Sequence, residues 1–469
     1  MKNFVKTKAF KILVIILGCI IGLSAAFLAS VATVFAVRKT AVVAIPGLLC
    51  SSLVDTETEE IFYDPLDTDT YGYSFDDFNE TKMFDLITRI AAETDTLDKI
   101  WAVLDGEEGN FLDKFALKED GTPEYPSVAI QWDHDGYAKY GAMTMMRKPY
   151  EHFANLYKNK KNYDAFVFQY DWRRDNRIAA EQLIEATKDY DDVIIVAHSM
   201  GNIVASLAMA KSEDFRKKVI LNCSYAAPYL GSFNALDILE DGESTVGGLL
   251  DMARTTVNGN KALKLFLGDI VDQATDLCYN QVLPTFRRMP GIAQLLPCIE
   301  LVCPDGEHSN LTVNGTAITT KEQLLAYYES CFWAHEGEDV NAPLRSWIAD
   351  LSDYWDAFYV NGVHASKLVN TYYFAGVDYD TTESMTIVKD GDQRVTSLST
   401  TKTRGDGTVN FRSATVGGNE RILETTGYPH TNLGTAFATG LVAEQTATAV
   451  SSIDNPYKIM AIKIKYPLQ

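Results

Sequence analysis

Ser199 stands in the string Ala197-His198-Ser199-Met200-Gly201-Asn202, between the apolar run Val193 to Val196 and a helix-like stretch from Ile203 to Lys211. A strand, a turn with room only for small neighbours, and then a helix is the setting of a nucleophile elbow. The turn lifts the hydroxyl off the sheet edge and sets it at a helix N-terminus. Ala197 and Gly201 are the small residues two positions either side, alanine replacing the more usual glycine.

A serine hydroxyl needs a base to take its proton, and the base needs an acid to orient it. In the α/β-hydrolase chain order both follow the serine, with the histidine last. Of His308, His335, His364 and His430, only His430 is the final histidine; it lies in the turn Gly427-Tyr428-Pro429-His430 ahead of a helical tail. It is the candidate base. Two carboxylates follow the late apolar run Thr371 to Val377: Asp378 directly after it, and Asp406 in Gly405-Asp406-Gly407-Thr408-Val409. The two glycines around Asp406 make a tight, open turn that favours it, yet such a turn also occurs as plain hairpin chemistry. The developing oxyanion needs backbone N–H donors. Met200, after the serine, supplies one; the loop Pro46-Gly47-Leu48-Leu49, after the first apolar run, supplies the other through Leu48, with Leu49 the alternative.

These residues need a scaffold that brings loop ends together. Continuously apolar runs at Ala41 to Ile45, Tyr163 to Tyr170, Val193 to His198, Val219 to Ala226 and Thr371 to Val377 alternate with helical stretches. Runs of that kind suit parallel strands covered on both faces, so the expected fold class is α/β with a mainly parallel central sheet. Residues 40–469 are read as one domain, interrupted at about 54–146 by a cap insertion and at about 232–342 by a lid insertion. Within the second, Leu263, Phe266, Ile270, Ala274 and Leu277 recur at helical spacing and need something to cover. Pro343 to Phe358 reads as a helix packing Trp347, Leu351, Tyr354, Trp355 and Phe358 against the core.

Residues 1–39 form a separate segment. Lys2, Lys6, Lys8 and Lys11 precede an uncharged apolar run from Ile12 to Val37, which at about 1.5 Å per residue reaches roughly 39 Å as a helix. We read it as an uncleaved membrane anchor with the basic end cytoplasmic and the bulk of the chain extracytoplasmic; cleavage after Ala36 as a signal peptide would instead give a secreted protein. Removing the six positive charges of residues 1–39 from the net −21 leaves −27 on the rest, which excludes nucleic acid as a partner.

No cofactor is called for. The acidic cluster Asp64, Asp67, Asp69, Asp76 and Asp77 fits no EF-hand spacing and reads as a solvated face; no cysteine or histidine spacing suggests zinc. Cys278, Cys298, Cys303 and Cys331 are near enough in sequence for two bridges in an oxidising compartment, in any of three pairings.

Six motifs now form a series: Ile45-Pro46-Gly47, Tyr170-Asp171-Trp172-Arg173, the elbow, Ala227-Pro228-Tyr229-Leu230-Gly231-Ser232, Phe286 to Pro290 with Leu295-Leu296-Pro297, and Gly405 to Val409. In this order, over about Ala41 to Leu433, they resemble the lecithin:cholesterol acyltransferase family, which includes lysosomal phospholipase and bacterial lipase-like members. The resemblance implies an α/β-hydrolase with cap and lid, acting on lipid acyl esters through an acyl-serine. It implies Ser199 as nucleophile, Asp406 rather than Asp378 as acid, His430 as base, and the amides of Leu48 and Met200 as oxyanion hole. The chain departs from many relatives in having Asn202 for a second glycine and Asn410 for a proline. Trp172 and Arg173 fall near the site, where bracing the elbow and touching substrate are both open. A lipase or phospholipase with possible O-acyltransferase activity is the leading function. A carboxylesterase or thioesterase for small soluble esters is the second reading, and an inert cell-envelope binding protein the third.

Overall fold

The computed structural model describes residues 38–58, 60–63, 113–130, 155–156, 162–240, 282–331, 342–391, 395–418, 420–433 and 440–466. Six strands form the central sheet: β1 (Thr40–Ile45), β2 (Tyr163–Val167), β3 (Asp192–His198), β4 (Val219–Tyr225), β5 (Thr371–Gly376) and β6 (Ile422–Thr425). Their order is β6-β5-β4-β3-β1-β2 and every pairing is parallel. Every residue of β1, β3 and β4 is buried, as continuous apolar runs require when both faces are covered.

Alternate side chains serve opposite faces. Val43, Ile45, Val193, Ile195 and Ala197 join the core beneath helices α1 (Asn176–Ala186) and α2 (Gly201–Lys211). Val42, Ile194, Val196 and Leu221 face the other way, against Val442, Ala449 and Ile459 of the C-terminal helices Gly440–Ser451 and Pro456–Lys465. The expected α/β sheet is therefore present, with β6 added to the strands read from the sequence. From β1 the chain moves outward to β2 and returns to the other side of β1 for β3. The carboxyl ends of β1 and β3 thus flank a switch point, where α/β sheets open a crevice. Pro46-Gly47 and Ser199 follow those two ends directly.

A second sheet lies outside this frame. Strands Tyr379–Lys389 and Val395–Gly405 pair antiparallel, and Leu311–Val313 adds in parallel beside the first. The hairpin leaves the sheet just after β5 and returns the chain to Asp406. In the first insertion, Leu53–Asp55 pairs with Glu60–Tyr63 and with Val128–Ala129. The helix expected over 343–358 is two, Ala342–Ala349 and Leu351–Asp356, joined at Asp350, whose carboxylate pairs with Arg177 of α1. Tyr354 and Phe358 are buried and meet edge to face with ring centroids 5.2 Å apart.

Cys298 and Cys303 are unbridged, correcting the expected disulfides at those two positions: both thiols are buried, and Cys298 packs within the apolar core. The N-terminal apolar run, the acidic cluster at 64–77 and the stripe at 263–277 lie outside the described residues. Among the described residues no helix is long and apolar enough to cross a membrane, and no side-chain group is arranged to hold a metal.

Candidate active site

The elbow is built by close approach. Ser199 has φ +50°, in the left-handed region, and its N–H donates to Tyr225 O on β4 at 2.9 Å. A Cβ on Gly201 would stand 2.5 Å from the carbonyl oxygens of both Ile45 and Pro46, so only glycine lets α2 start against the end of β1. Asn202, the departure from the common second glycine, donates its amide to the carbonyls of Ala197 at 3.1 Å, Ser199 at 3.1 Å and Tyr225 at 3.0 Å. It ties both sides of the strained turn to the neighbouring strand.

The structure brings the three candidate side chains into one row. Nε2 of His430 is 3.0 Å from Ser199 Oγ, and Nδ1 is 2.9 Å from Asp406 Oδ2. The His430 N–H also donates to Asp406 O at 2.8 Å, so base and acid are joined by main chain as well as side chain. Asp406 is 1% exposed, and its Oδ1 accepts from the amides of Thr408 at 3.0 Å and Val409 at 2.7 Å. Those bonds lock the carboxylate, with Gly407 at φ +94° closing the turn beneath it. Asp378, the alternative acid, points elsewhere: its Oδ2 accepts from Gly427 N at 2.6 Å, steadying the loop before His430. Among the other histidines, His308 is exposed beside Asp305, His364 is buried beside Ser366, and His335 lies outside the described residues.

A fourth residue belongs to this arrangement, and residue type alone gave no reason to single it out. His198 Nε2 lies 2.9 Å from the carbonyl of His430, which only accepts, so this nitrogen carries the proton and donates. Its Nδ1 is buried without a hydrogen-bond partner. Burial, and then the neighbouring His430, push the His198 imidazole down to about 3, so it holds the backbone of His430 as a neutral ring. The available signal was its place between the small residue Ala197 and the serine.

On the other side of Ser199, a Cβ on Gly47 would come within 2.8 Å of Ser199 Cβ. The loop carrying Leu48 therefore packs directly on the serine. Among the described residues no acceptor is paired with the N–H of Leu48 or of Met200, which leaves both donors available. Trp172 and Arg173 are fully buried. The indole donates to Ser51 O at 3.1 Å; the guanidinium pairs with Asp171 and donates to Lys114 O at 3.0 Å. They brace loops and do not face the serine. A cavity of about 830 Å³ opens elsewhere, between α1 and residues 123–130, lined by Val128, Phe168, Tyr170 and Ile178. Neither Ser199 nor His430 lines it, so size alone does not make it the chemical site.

Residues 128–262, which hold the elbow and the Ala227 to Ser232 motif, match a known family. That family is lecithin:cholesterol acyltransferase. The match includes Ser199 and Met200 and ends well before Asp406 and His430. Among solved structures the chain is similar to one in "The crystal structure of Tle4-Tli4 complex", with a TM-score of 0.52 and 12% identity, covering 92% of this chain and 99% of that one. At that identity the likeness concerns the fold, which is an α/β-hydrolase fold. No curated protein matches the chain.

Proposed function

We propose that the protein is a serine-dependent acyl-ester hydrolase of lipids, a lipase or phospholipase, able to pass the acyl group to an alcohol as well as to water. The observation that carries this reading is the row Ser199 Oγ, His430 Nε2, His430 Nδ1, Asp406 Oδ2, with successive hydrogen bonds of 3.0 and 2.9 Å at the sheet's switch point. The lipid class of substrate rests on the family match over 128–262.

The chemistry follows from the geometry. Ser199 Oγ attacks the acyl carbonyl as His430 Nε2 takes its proton, and Asp406 supports the imidazolium through Nδ1–H. The negative charge that builds on the carbonyl oxygen is met by the N–H groups of Leu48 and Met200. Collapse breaks the ester C–O bond, and His430 returns its proton to the leaving alcohol oxygen. Water or a second alcohol, deprotonated by His430, then attacks the acyl-serine and frees Ser199. Hydrolysis and transfer share every group and differ in which acceptor the site holds. The apolar run Ile12 to Val37 supports anchoring this domain outside the membrane with access to lipid.

A fluorophosphonate tests the reading. It is expected to label the wild type at Ser199, and to leave Ser199→Ala unlabelled and His430→Ala labelled at least about a hundredfold more slowly. Labelling elsewhere in folded protein, or equal labelling of the variants, contradicts the mechanism. An ester series of rising acyl length, with and without an alcohol acceptor, then sorts the substrate; fastest turnover of butyryl esters with no gain at a lipid surface would select the soluble esterase.

A further inference from the structure

We propose that Tyr170 and Trp172 are positioning residues that hold the oxyanion loop in its donor-out conformation, an inference that rests on Ser199 being the nucleophile. In a trans peptide the C=O and N–H point in opposite directions, so anchoring the oxygen aims the hydrogen. Three successive carbonyls of this loop are anchored. Pro46 O accepts from the Tyr170 hydroxyl at 3.0 Å, Gly47 O from Cys50 N at 3.3 Å, and Leu48 O from the Cys50 thiol at 3.2 Å. The N–H groups of Gly47, Leu48 and Leu49 are thereby fixed on the opposite sides of their peptide planes.

This conformation needs holding. Leu49 has φ +62°, a region that branched L side chains avoid, and such strain persists only where the surroundings over-determine it. The far end of the loop is fixed as well: Ser51 O accepts from the Trp172 indole at 3.1 Å, and Ser51 Oγ from Tyr170 N at 3.4 Å. The brace is rigid in its turn. Tyr170 is 1% and Trp172 0% exposed, and the next residue, Arg173, is clamped by Asp171 and by Lys114 O. The segment Tyr170-Asp171-Trp172-Arg173 thus reaches the reaction without touching substrate: it pins the loop at Pro46 and Ser51, and between those ends the Cys50 N–H anchors Gly47 O and so aims the Leu48 N–H. Because Gly47 packs on Ser199 Cβ, a small rotation of the loop changes both donor direction and distance.

Tyr170→Phe removes one oxygen and leaves Pro46 O without this donor. The matched control is Tyr328→Phe, since the Tyr328 hydroxyl also donates to a proline carbonyl, Pro297 O at 2.9 Å, within the second insertion. Full-length wild type, Tyr170→Phe, Trp172→Phe and Tyr328→Phe are compared by pre-steady-state acylation with a p-nitrophenyl ester, by fluorophosphonate labelling and by thermal melting. The acylation rate constant of Tyr170→Phe is expected to fall about tenfold with half-saturation unchanged, and that of Trp172→Phe to fall too. Tyr328→Phe is expected to lose comparable melting temperature and keep its rate constant. A Tyr170→Phe rate constant within twofold of a labelled wild type overturns the brace alone. So does an equal fall in Tyr328→Phe, or a loss carried by half-saturation. A wild type that is not labelled at Ser199 overturns the underlying reading, and the brace with it.

Discussion

A left-handed serine must be compensated by neighbours that leave it no alternative, and at Ser199 the compensation comes from one absent atom and one amide. In Gly201→Ala the added methyl would sit 2.5 Å from two backbone oxygens, neither of which can move without breaking β1 from α2. That variant is expected to lose at least about 3 kcal/mol of stability, read by urea denaturation, and all esterase activity. Asn202→Ala removes an amide shared among three carbonyls, of which Tyr225 O keeps the Ser199 N–H and Ser199 O keeps the backbone N–H of residue 202; about 1 kcal/mol is expected, with a fall in acylation rate beyond what the unfolded fraction explains. That Ser199 and His430 would meet was legible from residue type, spacing and chain order. Which carboxylate faces the His430 imidazole was not decided that way, because Asp378 and Asp406 both follow β5, and the distance between them in sequence says nothing of which one does. His198 was illegible for a plainer reason: its partner is a backbone oxygen 232 residues away.

Strands announce themselves when both faces are buried, as in β1, β3 and β4 and nearly so in β5; β2, at the sheet's edge, was read from an apolar run that continues past it to Tyr170. β6 did not announce itself: Ile422, Leu423 and Glu424 are only half-buried or exposed, so the run is short and mixed. The hairpin escaped because one face is solvated. Met385, Ile387 and Lys389 are buried while Thr386 and Val388 are exposed, a two-residue alternation easily lost among threonines. Yet this hairpin decides which carboxylate meets His430, since Tyr379 pairs with Gly405 and delivers Asp406 back to the end of β5. There a Cβ on Gly376 would lie 2.7 Å from Asp406 Cβ. Gly376→Ala is therefore expected to push the acid's turn away from His430 and reduce kcat about a hundredfold, while Ser199, held by β3 and β4, keeps its fold. Turnover and circular dichroism measured on the same sample check this; unchanged kcat would mean the turn yields without moving the carboxylate.

Across the whole molecule, two buried histidines among the described residues, His198 and His364, have no carboxylate hydrogen-bonded to the ring to keep it protonated. His198 sits at the carboxyl end of the interior strand β3, next to Ser199; His364 is stacked on Phe358 at 5.7 Å, with Tyr229 and Tyr359 meeting it edge to face. Burial pushes both down to about 3, helped at His198 by His430 and at His364 by Lys367. In the unfolded chain each would take up a proton near pH 6.5. Below that pH the unfolded state binds two protons that the folded state refuses, so stability falls as pH falls; above it the effect is absent. Each ring contributes about 1.4 kcal/mol per pH unit, so the pair gives a slope of nearly 3 kcal/mol per unit between about pH 6 and 4.5. Paired carboxylates such as Asp175, which burial pushes up but the hydrogen bonds and charge of Arg177 with Gln294 bring below the usual range, begin to add to it only at lower pH. Urea denaturation of the wild type at half-unit steps should show this slope, and His364→Gln, if folded, about half of it. A flat profile down to pH 4.5 would mean that both rings are hydrated and protonated in the folded protein, and would remove the reason for His198 to act as a neutral donor beside His430.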